Sequence, residues 1–150
     1  VTIQAQILEL MERLKRELNS SIIMITHDLG VIAEMCDRVV VMYAGQVVEI
    51  SEIDGLFDHP YHPYTEGLIQ SIPTIRPDRP RLYSIEGTVP NPFAMPKGCS
   101  FAPRCRYAKD LCREKSPALE DLGGGRAVRC WCWRDTGKRS AGTEEGGEAQ

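Results

Sequence analysis

Long apolar stretches are absent from this 150-residue sequence, in which no hydrophobic run approaches the roughly 20 residues that a membrane-spanning helix needs. The opening residues, VTIQAQILELMERL, also lack the basic and then apolar pattern of a secretory signal peptide. With no export signal, we expect a reducing compartment. Structural disulfides are disfavoured in such a compartment, and cysteines there more often bind metals.

The chain also has little excess charge of either sign, since its formal net charge is only −3. The charged residues are, however, unevenly distributed along the sequence. Residues 1–72 carry four basic and eleven acidic side chains, whereas residues 73–115 carry nine basic and four acidic. A basic block of this kind can attract nucleic acid. Because it lacks regular aromatic interleaving and the whole chain is acidic, we expect no nucleic-acid partner.

Four of the six cysteines lie within 32 residues, in the spacing C-x5-C-x6-C-x17-C: Cys99, Cys105, Cys112 and Cys130. Thiols that converge in a proline-rich, poorly hydrophobic segment indicate an iron–sulfur cluster, a zinc ion or disulfides. Structural zinc usually uses C-x2–4-C pairs, which are missing among these four. The spacing therefore favours a larger cluster, with zinc and a metal-free segment left open. Four basic residues lie near these cysteines in the sequence: Lys97, Arg104, Arg106 and Lys109. They either offset the negative charge of a cluster or form a solvated face.

The two remaining cysteines stand outside that spacing. Cys36 follows Met35 in a short predicted helix and is most simply a buried apolar thiol. Cys132 lies between Trp131 and Trp133, two residues after the fourth patterned cysteine. It either competes as a ligand or packs in the interior.

The first third of the chain has the order helix, buried strand, helix, hairpin. Apolar spacing predicts helices over 2–18 and 29–36, and the β-branched run at 22–26 predicts a strand buried on both faces. Strand-like residues at 38–43 and 46–50 flank Ala44-Gly45, which suits a tight hairpin. Ser51-x-x-Asp54 resembles a helix cap ahead of a short helix that ends near Phe57. We interpret this order as the closing part of an α/β domain.

The next segment repeats a short motif, His59-Pro60-Tyr61-His62-Pro63-Tyr64. Because its prolines disfavour a helix, we predict a turn with packed tyrosines rather than a metal site of His59 and His62. A helix is predicted over 64–72, a proline-rich extended connector over 73–96, and a disordered tail beyond Asp135. The predicted domains are 1–58, 59–98, 99–133 and 134–150.

Two stretches resemble a known family. I-T-H-D-L at 25–29, followed by C-D-R-V-V-V-M-Y-A-G-Q-V-V-E at 36–49, resembles the switch-histidine region of ABC-transporter ATPase subunits. V-T-I-Q-A-Q-I-L-E-L at 1–10 resembles the stretch after the D-loop of that family. The resemblance implies that His27 is a catalytic residue, which contacts the terminal phosphate of ATP and the attacking water.

Later residues resemble a subset of that family. H-P-Y-T at 62–65, followed by a helix and Ile72-Pro73, is similar to the extension of oligopeptide, dipeptide and nickel importer subunits. G-C-S-F-A-P-R-C at 98–105 resembles their C-terminal segment, which in some members carries a four-iron four-sulfur cluster. The resemblance implies four cluster ligands: Cys99, Cys105, Cys112 and Cys130. It implies a structural role for the cluster, with redox sensing as the alternative.

The fold that the resemblance implies is the C-terminal part of an α/β, ABC-type P-loop ATPase domain, followed by a small irregular cysteine-rich module. The chain has no G-x-x-x-x-G-K-[ST] phosphate loop, no signature motif and no apolar strand ending in Asp-Glu. It also begins without Met inside an amphipathic pattern, so we expect a fragment of a longer protein that is inactive alone.

The parent protein implied by the resemblance is an ATPase that uses ATP and Mg²⁺ to energise peptide import. Its implied partners are an identical or paralogous ATPase subunit, transmembrane permease subunits and, indirectly, an extracytoplasmic peptide-binding protein. Its implied place is the cytoplasmic face of a bacterial or archaeal cell membrane. The alternative is a non-enzymatic regulatory module that binds an iron–sulfur cluster or zinc.

Overall fold

The computed structural model describes residues 2–72 and 84–136. They divide into two compact units, one within Val1–Asp37 and one within Arg38–Gln150. Within these described ranges, no helix is both long enough and apolar enough to cross a lipid bilayer.

The first unit contains two helices, as the sequence predicts. Helix α1 spans Ile3–Glu17, and the Thr2 hydroxyl accepts a hydrogen bond from the Ala5 N–H at its start. Helix α2 spans Leu29–Met35. The Asp28 carboxylate caps α2 by accepting from the Gly30 N–H at 2.9 Å. Side chains that accept from the first free N–H groups are the usual way in which helices begin.

The predicted strand at 22–26 is wrong, because these residues form no strand. Ile23 is 93% exposed and Ile25 97% exposed, so neither side chain is buried. A strand exists only as part of a hydrogen-bonded ladder, and the ladders of the described part of the chain all begin at or after Arg38. The prediction that Cys36 is buried is also wrong, since it ends α2 and is partly exposed.

The second unit begins with the predicted hairpin, which is confirmed. Strand β1 (Arg38–Tyr43) pairs antiparallel with β2 (Gln46–Glu52). The turn residues Ala44 and Gly45 both have positive φ, 47° and 78°. Two positive φ angles match the right-handed twist of the strands they connect. Alternate β1 residues are buried and contribute to the core: Val39, Val41 and Tyr43.

A second hairpin, which the sequence analysis missed, comes from the cysteine-containing segment. Strands β3 (Glu120–Gly123) and β4 (Arg126–Val128) complete a four-stranded antiparallel sheet of order β1-β2-β4-β3. The cysteine-rich segment was expected to be irregular. Instead, it adds two strands to the sheet of the first hairpin. They carry no apolar alternation because β3 is largely exposed, so their pairing with β2 left little trace in the sequence.

The second unit also contains short helices: α3 (Ile53–Asp58), α4 (Pro63–Gln70), α5 (Asp110–Glu114), α6 (Trp133–Thr136) and a 3-10 turn at Ala102–Arg104. Leu56 of α3 is fully buried. The predicted Ser51 cap of α3 is wrong, because Ser51 lies inside β2 and the helix begins after Glu52. Residues 73–83 of the predicted connector and 137–150 of the predicted tail lie outside the described residues, and residues 84–96 contain neither helix nor strand.

Candidate thiol site and HPY turn

Five cysteines of the second unit lie around one small apolar cluster. Cys112 and Cys132 are buried with Ala102 at its centre, and Cys99 and Cys130 pack against them. Cys105 lies close enough to interact electrostatically with Cys99 and Cys112. All five are free thiols. The structure thus brings together the four cysteines that the sequence singled out, and adds Cys132 to them.

Backbone N–H groups point at three of these sulfur atoms. Each of the three accepts a hydrogen bond from the residue two positions later: Cys99 from Phe101, Cys105 from Tyr107 and Cys130 from Cys132. The last of these bonds measures 3.3 Å from nitrogen to sulfur. Donors aimed at sulfur favour the thiolate over the thiol. The local backbone therefore suits these cysteines to an anionic, metal-bound state.

Burial disfavours the thiolate form of these cysteines while no cation is bound. Burial, with a smaller contribution from neighbouring thiols, raises the pKa of Cys105 to about 11. The pKa of Cys132 also rises to about 11, through burial first and Cys112 second. Burial raises the pKa of Cys130 as well. These thiols are therefore protonated at neutral pH in the metal-free protein, and any metal that binds them must displace protons.

The donors are not arranged around a single ion. Among the residues that the structure describes, no group of three or more His, Cys, Asp or Glu side chains is placed to hold one. Around one zinc ion, Zn–S bonds of about 2.3 Å place neighbouring sulfur atoms about 4 Å apart. Cys112 and Cys132 have this separation, 3.9 Å between their sulfur atoms, but they lack a third donor.

Gly98 holds Cys99 against helix α5. The Cys99 N–H donates to the Cys112 carbonyl at 2.8 Å. A Cβ added at Gly98 would collide with that carbonyl oxygen and would lie 2.6 Å from the carbonyl oxygen of Arg113. Real Cβ atoms do not approach backbone atoms so closely. Only glycine at this position permits the approach that brings the first and third patterned cysteines together.

Gly98→Ala is therefore expected to lower the free energy of unfolding by about 2 kcal/mol, because overpacking against rigid backbone forces the Cys99–Cys112 contact apart. Urea unfolding followed by tryptophan fluorescence measures this, since both tryptophans lie in the second unit. Gly55→Ala, in the second unit, is the matched control, because the closest approach of its Cβ would be to the Ser51 hydroxyl, a side-chain atom. An equal stability for Gly98→Ala and wild type would contradict the close approach.

A buried carboxylate organises the turn that contains the HPY motif. Glu49 of β2 is fully buried, and its two oxygens accept from the Tyr61 and His62 N–H groups, each at 2.8 Å. Burial raises the pKa of Glu49, and the backbone donors oppose this rise. Arg126 of β4 places Nη2 3.7 Å from Glu49 and stacks 4.0 Å over the Tyr61 ring. Neither Glu49 nor Arg126 was predicted from the sequence as part of a site.

His62 begins helix α4. Its ring is 1% exposed, and its Nδ1 accepts from the Tyr64 N–H at 3.0 Å. Burial lowers the pKa of His62 to about 3, so the ring is neutral. His62 Nδ1 is therefore occupied by the helix cap. That His59 and His62 form no metal site stays a prediction.

The cysteine segment also contacts helix α4 and the HPY turn directly. Arg106 pairs with Glu66 of α4 at 2.6 Å, and the Tyr107 hydroxyl donates to the same carboxylate. Thr136 donates to the Tyr61 carbonyl at 2.6 Å. The HPY turn and the thiol cluster are therefore parts of one packed body within the second unit.

His27 lies in the first unit, whereas the five clustered cysteines lie in the second. It occupies an exposed bend between α1 and α2, directly before the capping residue Asp28. The Thr26 hydroxyl accepts from the Asp28 N–H at 3.0 Å, which fixes the backbone on both sides of the imidazole. The role of His27 in catalysis stays a prediction.

Comparison with known proteins identifies relatives over most of the chain. Residues 48–112 match the family model of the oligopeptide/dipeptide transporter, C-terminal region. The chain is 53% identical to the oligopeptide transport ATP-binding protein AppD of Bacillus subtilis over 137 residues, which cover 91% of this chain and 42% of AppD. It is 46% identical to the dipeptide transport ATP-binding protein DppD of Escherichia coli over 130 residues, 87% of this chain and 40% of DppD.

The chain therefore spans about two fifths of the length of the curated relatives it matches. The family match covers most of β2, the HPY turn and three of the patterned cysteines. Residues 48–112 therefore match the C-terminal region of the oligopeptide/dipeptide transporter family, in agreement with the resemblance seen in the sequence.

Proposed function

We propose that this chain is the C-terminal part of the ATP-binding subunit of a peptide importer. The carrying observation is the identity of about half the residues with transport ATP-binding proteins such as AppD, over 91% of the chain. The complete protein binds ATP with Mg²⁺ and uses hydrolysis to energise peptide uptake. This favours the importer over a free-standing regulatory module, because the matched relatives are named as transport proteins.

In this proposal His27 is the phosphate sensor of the complete enzyme. Its exposed imidazole donates a hydrogen bond to the γ-phosphate and helps to orient the attacking water beside a catalytic carboxylate. A donor fixed in advance toward developing negative charge stabilises the transition state more than the ground state. The hydrogen bonds of Thr26 and Asp28 support this role, because they limit the backbone freedom of the residue between them.

The proposed partners follow from the same assignment. The ATPase subunit pairs with an identical or paralogous subunit and binds permease subunits at the cytoplasmic face of the cell membrane. An extracytoplasmic peptide-binding protein delivers the substrate, without contacting this chain. No nucleic acid takes part.

The test uses the complete subunit, assembled with its permease. His27→Ala is expected to reduce steady-state ATP hydrolysis more than tenfold while ATP binding is retained, because one charge-directed donor is worth about 10²–10³ in rate. Asp37→Asn, an exposed change in the same unit, is the control. Unchanged hydrolysis in His27→Ala, or clear ATP turnover by the 150-residue chain alone, would refute the proposal.

We also propose a four-iron four-sulfur cluster bound by Cys99, Cys105, Cys112 and Cys130. Two observations support it: the thiols converge, and three of them accept backbone N–H bonds. In a cluster each thiolate binds a different iron, so the sulfur atoms lie further apart than around one ion. When bound, the cluster supplies a covalent tie between separate chain segments. Its main role is structural, with redox sensing as the weaker alternative.

Anaerobic reconstitution with iron and sulfide tests this second proposal. The wild-type chain is expected to bind about four irons and four sulfides, and Cys99→Ser to lose most of both, because a cluster of this type needs four thiolates. Cys36→Ser, in the first unit, is the control and should retain the full content. One zinc per chain without sulfide would instead show a single-ion site.

A further inference from the structure

A loop of the second unit, residues 87–97, is held at both ends, and we call it the apolar loop. Before it, the Arg104 guanidinium donates to the Glu86 carbonyl at 2.9 Å. After it, the Cys99 N–H donates to the Cys112 carbonyl at 2.8 Å. The two ends of the loop are therefore fixed to the body of the second unit.

An ordered turn holds Phe93 in the middle of the apolar loop. The Asn91 side-chain oxygen accepts from the Phe93 N–H at 2.9 Å, and the Asn91 carbonyl accepts from the Ala94 N–H at 2.9 Å. Asparagine side chains close turns in this way. Three prolines further restrict the backbone of the loop: Pro90, Pro92 and Pro96. The turn is formed before any partner binds, and such preorganisation favours binding.

The side chains that the apolar loop exposes are mainly hydrophobic. Phe93 is 98% exposed, Val89 58% and Met95 38%. Because almost all of its surface faces water, Phe93 contributes very little to the packing of the second unit. Single exposed apolar side chains are common on proteins, but three within seven positions of one ordered loop indicate a contact surface.

The chemistry of the apolar loop favours a lipid surface over a protein partner. Its three prolines have no N–H group, and the Asn91 oxygen already accepts a bond within the turn. Protein interfaces combine apolar contact with about ten direct hydrogen bonds, for which this loop has few groups. Insertion into the edge of a bilayer requires only that apolar side chains leave water.

The charge around the apolar loop favours an anionic lipid surface. Residues 84–115 carry six basic and three acidic side chains, and anionic headgroups attract such an excess of cations. Two of these cations lie at the base of the loop. Lys97 is an exposed member of it, and the exposed Arg113 has its carbonyl oxygen 2.6 Å from a Cβ built on Gly98.

We propose that the apolar loop inserts Phe93, flanked by Val89 and Met95, into the headgroup region of an anionic lipid bilayer. Lys97 and Arg113 contact the lipid phosphates. The inference rests on the proposed function for one point, that the protein works at the cytoplasmic face of a membrane. There the loop adds a direct lipid contact to the binding of permease subunits.

Co-sedimentation of the 150-residue chain with lipid vesicles tests this contact under reducing conditions. Vesicles of phosphatidylglycerol and phosphatidylcholine in equal parts are compared with vesicles of phosphatidylcholine alone. Wild type is expected to bind the anionic vesicles at least about fivefold more strongly, because each cation near such a surface contributes about that factor. High salt should reduce this preference.

Variants of Phe93 distinguish the apolar loop from other apolar surface. Phe93→Ser is expected to bind anionic vesicles about tenfold less, because a phenyl ring that leaves water contributes about that factor. Phe93→Trp should retain binding, since tryptophan suits the bilayer interface. Ile23→Ser is the matched control, because it removes a side chain that is 93% exposed in the first unit. It should bind as wild type does, and circular dichroism checks that every variant is folded.

Three results would overturn the inference. The first is equal binding of wild type and Phe93→Ser, or equal losses in Phe93→Ser and Ile23→Ser. The second is equal binding of wild type to the two kinds of vesicle. The third is absence of vesicle binding, and self-association that depends on Phe93 in analytical ultracentrifugation would then assign the loop to a second copy of the chain. None of these results changes the proposed importer, which the ATP hydrolysis of His27→Ala tests separately.

Discussion

Acidification from pH 7.5 to pH 4.5 is expected to lower the free energy of unfolding of the second unit by about 3 kcal/mol through His62 alone. The pKa of His62 falls from 6.5 to about 3 on folding, because its ring is buried. Between these values the unfolded chain binds a proton that the folded chain does not. Stability is therefore full above pH 6.5 and is lost by about 1.4 kcal/mol per pH unit down to pH 3.

Urea unfolding at pH 7.5, 6, 5 and 4.5 measures this loss through tryptophan fluorescence. His62→Asn is the matched control, since asparagine also caps helices but does not titrate. The variant starts less stable, because a smaller side chain leaves space, but its stability should vary less with pH. The raised pKa of Glu49 acts in the opposite direction, because the folded chain takes up that proton first as pH falls. Equal pH slopes for both proteins would contradict a neutral, buried His62.

The elements that sequence reasoning predicted well are those determined by adjacent residues. The β1–β2 hairpin depends on two alternating strands and a turn that tolerates positive φ at Ala44 and Gly45. Helix α1 depends on apolar spacing and a Thr2 cap. Both are local, so the pattern that encodes them lies within a few residues. The strand predicted at 22–26 depends instead on neighbouring strands, which the first unit does not provide in its described residues.

In the candidate site, too, some residues could be predicted from the local sequence, whereas others are brought together only by the fold. The four patterned cysteines were found from their spacing, because unusual residues in a short segment are visible without any fold. The contact of Cys112 with Cys132 depends on the β3–β4 hairpin, which lies between these two cysteines in the chain. The spacing of the cysteines does not predict this hairpin. Glu49 and Arg126 are 77 positions apart, and only the pairing of β2 with β4 brings them together. A charged residue inside the run Val47-Val48-Glu49-Ile50 was the one signal available.

Arg126→Met is expected to lower the free energy of unfolding by about 3 kcal/mol, because it leaves a buried carboxylate without its cation. Glu49 is fully buried, and the Arg126 side chain is 18% exposed. Arg126 also donates to the His59 carbonyl and covers the Tyr61 ring, so it connects β4 to the HPY turn. Methionine retains much of the apolar stem, and the loss therefore reports the guanidinium rather than packing.

Arg106→Met is the matched control for this effect. Arg106 also forms an ion pair with a carboxylate, Glu66, but its side chain is 47% exposed. The Glu66 side chain is 17% exposed, so water reaches it when its cation is removed, unlike the fully buried Glu49. A pair with an exposed arginine contributes about 1 kcal/mol or less, so the control should lose less stability. The loss in Arg126→Met should be larger at pH 8 than at pH 5, because Glu49 already has a raised pKa and can take up a proton when its cation is removed. Equal losses in the two variants, or a loss in Arg126→Met that does not change with pH, would mean that the Glu49–Arg126 pair does not hold the HPY turn to the cysteine segment.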